Sequence, residues 1–175
     1  MPITEPFDRY ADTYEEWFSN FKAVYDTEVD ALREVLPEEA VDGSGPPAGV
    51  EIGAGSGLFA SRLGGQYGVE PSEVMLEKAR ARGVEMRMGA AEELPLDDGA
   101  FDFTLMVTAI CFLDDIDRAM TELRRVLKPG GLALFGFVDR DSPLGQLYLQ
   151  YKDEDVFYRR ASFKSAEEVI AALEK

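Results

Sequence analysis

The stretch Val50-Glu51-Ile52-Gly53-Ala54-Gly55-Ser56-Gly57-Leu58 decides the fold of this chain. Apolar residues lead into three glycines at alternate positions, and a run that favours a helix follows over residues 57–63. Glycine adopts positive φ without strain and lets a ligand approach the backbone closely. The pattern, E-x-G-x-G-x-G, predicts a buried strand that ends in a tight ligand-binding turn and leads into a helix.

Two better-known glycine loops compete with this interpretation. The dinucleotide fingerprint G-x-G-x-x-G, begun at Gly53, has Leu58 where it requires a small residue. Begun at Gly55, its third position is Ala60, which the looser form of the fingerprint tolerates, so a dinucleotide site stays open as an alternative. The phosphate loop G-x-x-x-x-G-K-S/T is excluded because the sequence contains no Gly-Lys pair.

A second apolar segment, Tyr67-Gly68-Val69, ends at Glu70, which lies 17 residues after Gly53. This spacing is close to the roughly 20 residues that separate the glycine loop from the ribose-binding acid of Rossmann-type sites. A carboxylate at this place can accept hydrogen bonds from both ribose hydroxyls.

Composition excludes several kinds of chemistry. The 175 residues include no histidine and one cysteine, Cys111. Catalytic Ser-His and Cys-His pairs and most zinc sites are therefore excluded, and no metal is expected. The net charge of −16 disfavours nucleic acid and anionic membranes as partners. No apolar run reaches the length of a transmembrane helix and Met1–Glu5 is unlike a secretory signal, so we expect a cytoplasmic protein.

The remaining pattern predicts one α/β domain with a Rossmann-like, mostly parallel sheet in the order 3-2-1-4-5 and helices on both faces. Strands are expected near 49–53, 66–70, 84–88, 101–107 and 132–138, and helices near 57–63, 72–82 and 115–128. A helical arm over residues 1–42 precedes the core at 43–175. Within it, residues 7–36 are predicted to be helical, because apolar and mostly aromatic residues recur at steps of three and four from Phe7 to Val24. The Gly- and Pro-rich segment 41–49 separates them.

Taken together, these motifs resemble those of the class I S-adenosylmethionine-dependent methyltransferases of the type 11 (UbiE-like) group. The resemblance rests on five segments in the order and spacing of that family, which are spread over about half the chain. They are Val50–Gly57, Gly68–Ser72, Gly89–Leu96, Phe101-Asp102 and Leu123–Gly131.

The resemblance implies S-adenosylmethionine as methyl donor, with S-adenosylhomocysteine as product, and a small-molecule acceptor. It places the backbone of Gly53, Ala54 and Gly55 along the methionine portion of the cofactor. It assigns Glu51 to the methionine ammonium group and Glu70 to the ribose hydroxyls.

For the adenine, the resemblance implies packing by Pro71 and Met75 and polar contacts from Ala91 and Glu92. The family often has Asp after the residue that matches Gly89, where this chain has Ala90. That contact therefore comes from Glu92, water or backbone, or it is missing.

The resemblance also identifies the aromatic arm as a lid. Tyr14 is expected to cover the cofactor, and Thr108, just after the fourth strand, to lie near the sulfonium. Tyr14, Thr108 and Asp139 are candidate catalytic residues, although methyl transfer often needs no base. Asp139 and Asp141 follow the fifth strand, and with the acidic arm they favour an amine acceptor over a quinol or phenol.

Three questions stay open from the sequence. Tyr148 and Lys152 have the Tyr-x-x-x-Lys spacing of short-chain dehydrogenases, and Ala90 allows a non-catalytic cofactor-binding protein. The capping box Ser165–Glu168 starts a helix in which the sequence stops at Lys175, whereas the family's sheet usually continues with two more strands. We therefore expect the core to be C-terminally incomplete. The oligomeric state is undetermined.

Overall fold

A five-stranded, wholly parallel sheet forms the centre of the protein, as a computed structural model that describes residues 2–64 and 67–175 shows. The strand order β3-β2-β1-β4-β5 confirms the prediction. The strands are β1 (Gly49–Ile52), β2 (Tyr67–Glu70), β3 (Glu85–Met88), β4 (Phe101–Val107) and β5 (Leu127–Gly136). Position 66, predicted as the start of β2, lies outside the described residues.

Seven α-helices of the described chain surround the sheet. They are α1 (Glu5–Arg9), α2 (Ala11–Asn20), α3 (Lys22–Val35), α4 (Glu73–Ala81), α5 (Ile116–Val126), α6 (Pro143–Tyr151) and α7 (Ala166–Leu173). Short 3₁₀ turns occupy Ile110–Phe112, Lys152–Glu154 and Tyr158–Arg160. Of these helices, α4, α5 and α7 agree with the sequence pattern, and α7 begins with the predicted capping box.

The arm forms three helices, where the aromatic periodicity suggested one continuous helical segment. Tyr10 and Phe21 interrupt the helical conformation, with φ/ψ of −121°/31° and −112°/38°. Phe18 and Tyr25 from the arm pack against Phe59 and Leu105 on one face of the sheet. The periodicity therefore identified the buried face correctly but could not show where the chain bends.

The predicted helix at 57–63 is wrong, because this segment consists of overlapping turns. The N–H of Leu63 donates to the carbonyls of both Phe59 and Ala60, whereas the N–H of Ala60 donates to the side chain of Glu51 at 2.8 Å. A buried carboxylate thus takes a donor that a regular helix would direct to its own backbone.

The segment Lys128–Gly131, which joins the predicted helix at 115–128 to the predicted strand at 132–138, is a bulge at the start of β5. Leu127 pairs with Phe101 and Leu132 pairs with Phe103, so residues 128–131 lie opposite Asp102 alone. The strand therefore begins at Leu127 rather than at 132 and ends at Gly136.

Asp102 fastens this bulge to the linker that follows the arm. Its carboxylate accepts hydrogen bonds from the N–H groups of Val41 and Ala48, both at 2.8 Å, and an ion pair from Lys128 at 3.0 Å. Burial acts to raise the pKa of Asp102, but these partners outweigh it and the pKa is lowered. One buried side chain therefore fixes the entrance to β1 and the start of β5.

Candidate active site

A cavity of about 780 Å³ opens at the carboxyl ends of the strands. Gly53 after β1, Glu70 at the end of β2 and Thr108 after β4 lie on its wall. This is the place where open parallel sheets bind ligands.

The three glycines of the loop all have positive φ, of 70°, 54° and 76° at Gly53, Gly55 and Gly57. A Cβ at Gly53 would lie 2.6 Å from the Cβ of Ala109, and one at Gly57 would lie 2.9 Å from the Cβ of Ala79. These two glycines are therefore required by packing. A Cβ at Gly55 would instead enter the cavity.

Glu70 is held in place by the loop that it faces. Its two carboxylate oxygens accept hydrogen bonds from the N–H groups of Gly55 and Ser72, each at 2.9 Å. Burial raises the pKa of Glu70 to about 7, although these two bonds act in the opposite direction. Its position on the wall is the one predicted for the ribose-binding acid.

Glu51 and Ala54 lie behind the loop rather than on the cavity wall. Glu51 is 2% exposed and accepts the Ala60 N–H, and burial raises its pKa to about 8. The side chain of Ala54 packs in a small apolar cluster with Leu76. The structure thus gives Glu51 a structural partner, and its contact with a methionine ammonium group stays a prediction.

The residues predicted to meet an adenine, Pro71, Met75, Ala91 and Glu92, all lie on the wall. The Glu92 carboxylate already accepts the N–H groups of residues 114 and 115, at 2.9 and 3.2 Å. It therefore stabilises the start of α5, and its role toward an adenine stays a prediction.

Thr108 combines its position on the wall with backbone strain. Its φ of 53° is the only positive value of a non-glycine residue in the described ranges 2–64 and 67–175. Its N–H donates to the carbonyl of Gly136 at 2.6 Å. Strained residues of this kind concentrate at functional sites.

The outer half of the cavity is aromatic. The arm and the segment that contains α6 meet there, since the Phe157 ring lies 5.4 Å from that of Phe7 and 5.8 Å from that of Tyr14. Burial raises the pKa of Tyr14 far above its ordinary value, so its hydroxyl stays protonated. Ten aromatic side chains line the cavity: Phe7, Tyr14, Trp17, Phe18, Phe59, Phe112, Tyr148, Tyr151, Phe157 and Tyr158.

Asp139 is not among the residues that line this cavity, and a catalytic role for it stays a prediction. Its carboxylate accepts the N–H groups of Asp141, at 3.0 Å, and Ala166, at 3.3 Å, and so caps the turn after β5. Asp141 is exposed and paired with Arg140. The carboxylates of Asp139 and Asp141 therefore contact neighbouring protein groups in the loop after β5.

Sequence reasoning missed two parts of the wall. Residues 143–158 supply aromatic groups, and α3 supplies Glu28. The sequence signals for the first part are the helix start Ser142-Pro143 and five aromatic residues between 148 and 163, and they do not show what the segment covers. Lys152 donates to the carbonyl of Ala161 at 2.9 Å and so anchors this segment.

The described residues contain neither a metal-binding cluster nor a membrane-spanning helix. Among residues 2–64 and 67–175, no group of three or more Cys, Asp or Glu side chains is arranged to hold a metal ion. Within the same ranges, no helix is both long and apolar enough to cross a membrane.

Comparison with known proteins places this geometry in a family. The model of the methyltransferase domain family matches residues 50–135. An uncharacterized protein of Methanocaldococcus jannaschii is 37% identical over 169 residues, which cover 97% of this chain and 78% of that protein. One of Mycobacterium tuberculosis is 34% identical over 99% of this chain, which spans only 60% of its length.

A solved structure from Thermotoga maritima superposes with a TM-score of 0.91 at 46% identity, and the match covers 98% of this chain and 79% of that one. It is described as an SAM-dependent methyltransferase and possible histamine N-methyltransferase.

Proposed function

The chain belongs to the S-adenosylmethionine-dependent methyltransferases, and from this premise we propose that it methylates the amine nitrogen of a small molecule with an aromatic or apolar body. The observation that carries the proposal is the cavity itself. It joins the glycine loop and Glu70 to an aromatic chamber in which acidic side chains predominate.

The residues present fit S-adenosylmethionine. A Cβ at Gly55 would meet no atom closer than 3.6 Å, and Glu70 lies beside the loop with its carboxylate directed by two backbone N–H groups. Pro71, Met75 and Ala91 offer an apolar surface for an adenine. When bound, the cofactor supplies an electrophilic methyl group on a sulfonium.

The contribution of the chain is position, orientation and exclusion of water. Tyr14 lies next to the loop, since its hydroxyl oxygen is 3.7 Å from the position of a Cβ at Gly55. It therefore covers the inner end of the cavity, while Phe7 and Phe157 close it from outside. An acceptor held between these rings would lie against the reacting methyl group, with water displaced from the aromatic surface.

The charges on the wall support an amine. Five carboxylates and one ammonium group line the cavity: Glu28, Glu70, Glu92, Asp114, Asp155 and Lys152. Negative potential attracts a cation, and aromatic faces stabilise an ammonium group by cation–π contact. Asp139 and Asp141 no longer contribute to this argument, because neither lies on the wall.

Two measurements test the proposal. Titration calorimetry with S-adenosylmethionine, S-adenosylhomocysteine and NAD should give binding of the first two and none of the third. A methyl-transfer screen with aromatic amines (histamine, phenethylamine, tryptamine) and matched phenols and quinols should give activity on at least one amine. Activity confined to phenols or quinols would refute the choice of acceptor, and tight NAD binding would refute the cofactor.

A further inference from the structure

Glu28 is an acidic side chain on the cavity wall. It lies on α3, half-buried, and among the described residues it makes no hydrogen bond or ion pair. Burial raises its pKa, with no cation nearby to oppose the shift. A carboxylate in this state binds a cationic ligand without first giving up a protein contact.

The other acids of the wall differ in this respect. Glu70 accepts the N–H groups of Gly55 and Ser72, and Glu92 accepts those of residues 114 and 115. Asp155 accepts those of Phe157 and Tyr158, at 2.7 and 3.0 Å. Each of these three carboxylates has a structural role in its own loop, which Glu28 does not.

The location of Glu28 connects it to the reacting end of the cavity. It lines the same cavity as Tyr14, on α2, and Tyr148, on α6. Burial is the main cause that raises the pKa of each tyrosine, and the charge of Glu28 adds to both shifts. Tyr14 in turn adjoins the cofactor loop at Gly55. Asp155 and Lys152 are the other charged groups on the α6 side of the wall, and Lys152 is directed to a backbone carbonyl.

We propose that Glu28 binds the ammonium group of the acceptor and removes its proton. This inference rests on the proposed function. One N–H bond of the ammonium group breaks, and the proton moves to a carboxylate oxygen of Glu28. The freed lone pair of the nitrogen forms the N–C bond to the methyl group, while the carbon–sulfur bond breaks and its electron pair stays on sulfur. The products are the N-methylated ammonium ion and S-adenosylhomocysteine.

Two properties of the chain suit Glu28 to this step. The sequence has no histidine, so no imidazole is present to act as a base. Partial burial raises the pKa of Glu28 toward that of an ammonium group. Proton transfer from the ammonium group to Glu28 is therefore less unfavourable in free energy. Tyr14 and Tyr148 stay protonated because their pKa values are raised, so neither competes as a base.

The test compares Glu28→Gln with Glu34→Gln, an exposed acid on the same helix. With the best amine of the screen named above, Glu28→Gln should lower kcat/KM at least about 100-fold, the usual contribution of a general base. The affinity for S-adenosylhomocysteine should stay at the wild-type value in both variants. Glu28→Asp, which keeps the carboxylate, should recover part of the activity and guards against a fold defect in the Gln variant.

The pH profile separates a base from a merely structural residue. The kcat/KM of Glu28→Gln should rise with pH toward the pKa of the amine itself, so that the loss shrinks in alkaline solution. Equal activity of Glu28→Gln and Glu34→Gln would overturn the role of Glu28 and leave the proposed function standing. Wild-type protein that methylates no amine, yet binds S-adenosylhomocysteine, would overturn both.

Discussion

Gly55 offers the sharpest test of the cofactor loop. At its φ of 54°, a Cβ would lie 3.6 Å from the Cε of Met75 and 3.7 Å from the hydroxyl oxygen of Tyr14. These are ordinary contact distances, so the fold accommodates Gly55→Ala, and its cost is that of the left-handed conformation, about 1–2 kcal/mol of unfolding free energy. The same methyl group fills the space between the two side chains, where no ligand atom then fits.

We therefore expect Gly55→Ala to weaken S-adenosylhomocysteine binding by about 1–3 kcal/mol, the usual cost of overpacking, or roughly 5- to 150-fold in Kd. Gly55→Val should abolish binding. Gly99→Ala is the matched control, because Gly99 has a φ of 58° and nothing within 4 Å of its Cβ position. It should lose similar stability and keep its affinity. Calorimetry that finds equal Kd values for the two alanine variants would refute the assignment of this loop.

Three further changes have defined outcomes. Glu70→Ala should weaken S-adenosylhomocysteine binding in calorimetry by about 1–3 kcal/mol, as expected for a charged hydrogen-bond partner, and unchanged affinity would contradict its role. Asp102→Ala should lower the free energy of unfolding in urea by about 2–4 kcal/mol, because it leaves two backbone N–H groups and Lys128 without their acceptor; a loss below 1 kcal/mol would refute this. Because the pKa of Glu51 rises from 4.5 to about 8 on folding, the native state holds a proton that the unfolded state has released. The contribution of this group to the free energy of unfolding should therefore be greatest below pH 4.5 and decrease as the pH rises to 8. In urea titrations at pH 5 and pH 8, Glu51→Gln should show a smaller decrease in the free energy of unfolding than the wild type.

The sheet could be predicted from the sequence because its signals are local and repeated. Buried strands that alternate with helices, joined by right-handed crossovers, leave few topologies, and the order 3-2-1-4-5 is confirmed. The glycine loop and Glu70 were also predicted, since both lie at strand ends where ligands bind. The helix over 57–63 was wrong, since the segment forms overlapping turns in which the N–H of Ala60 donates to Glu51, a residue outside the segment.

The outer half of the site could not be predicted for a different reason. Asp139 follows β5 and Glu28 lies on α3. The sequence alone does not reveal which of these two acidic side chains lies on the cavity wall. That depends on tertiary contacts: Asp139 is taken up by the turn before α6, whereas Glu28 lines the cavity together with rings from α2 and α6. Periodicity indicates a buried face, but it does not identify what that face is buried against.

The aromatic cover of the cavity has a consequence for synthesis. Phe7 meets Phe157, 150 positions further along the chain, so the chamber cannot close until the second ring has left the ribosome. At about 5–20 residues per second, the first ring waits roughly 8–30 s for its partner. The glycine loop and its sheet neighbours emerge well before that. During this interval the rings of Phe7 and Tyr14 lack Phe157, one of the rings that they contact, so this part of the arm's aromatic surface is open to chaperones or to premature association.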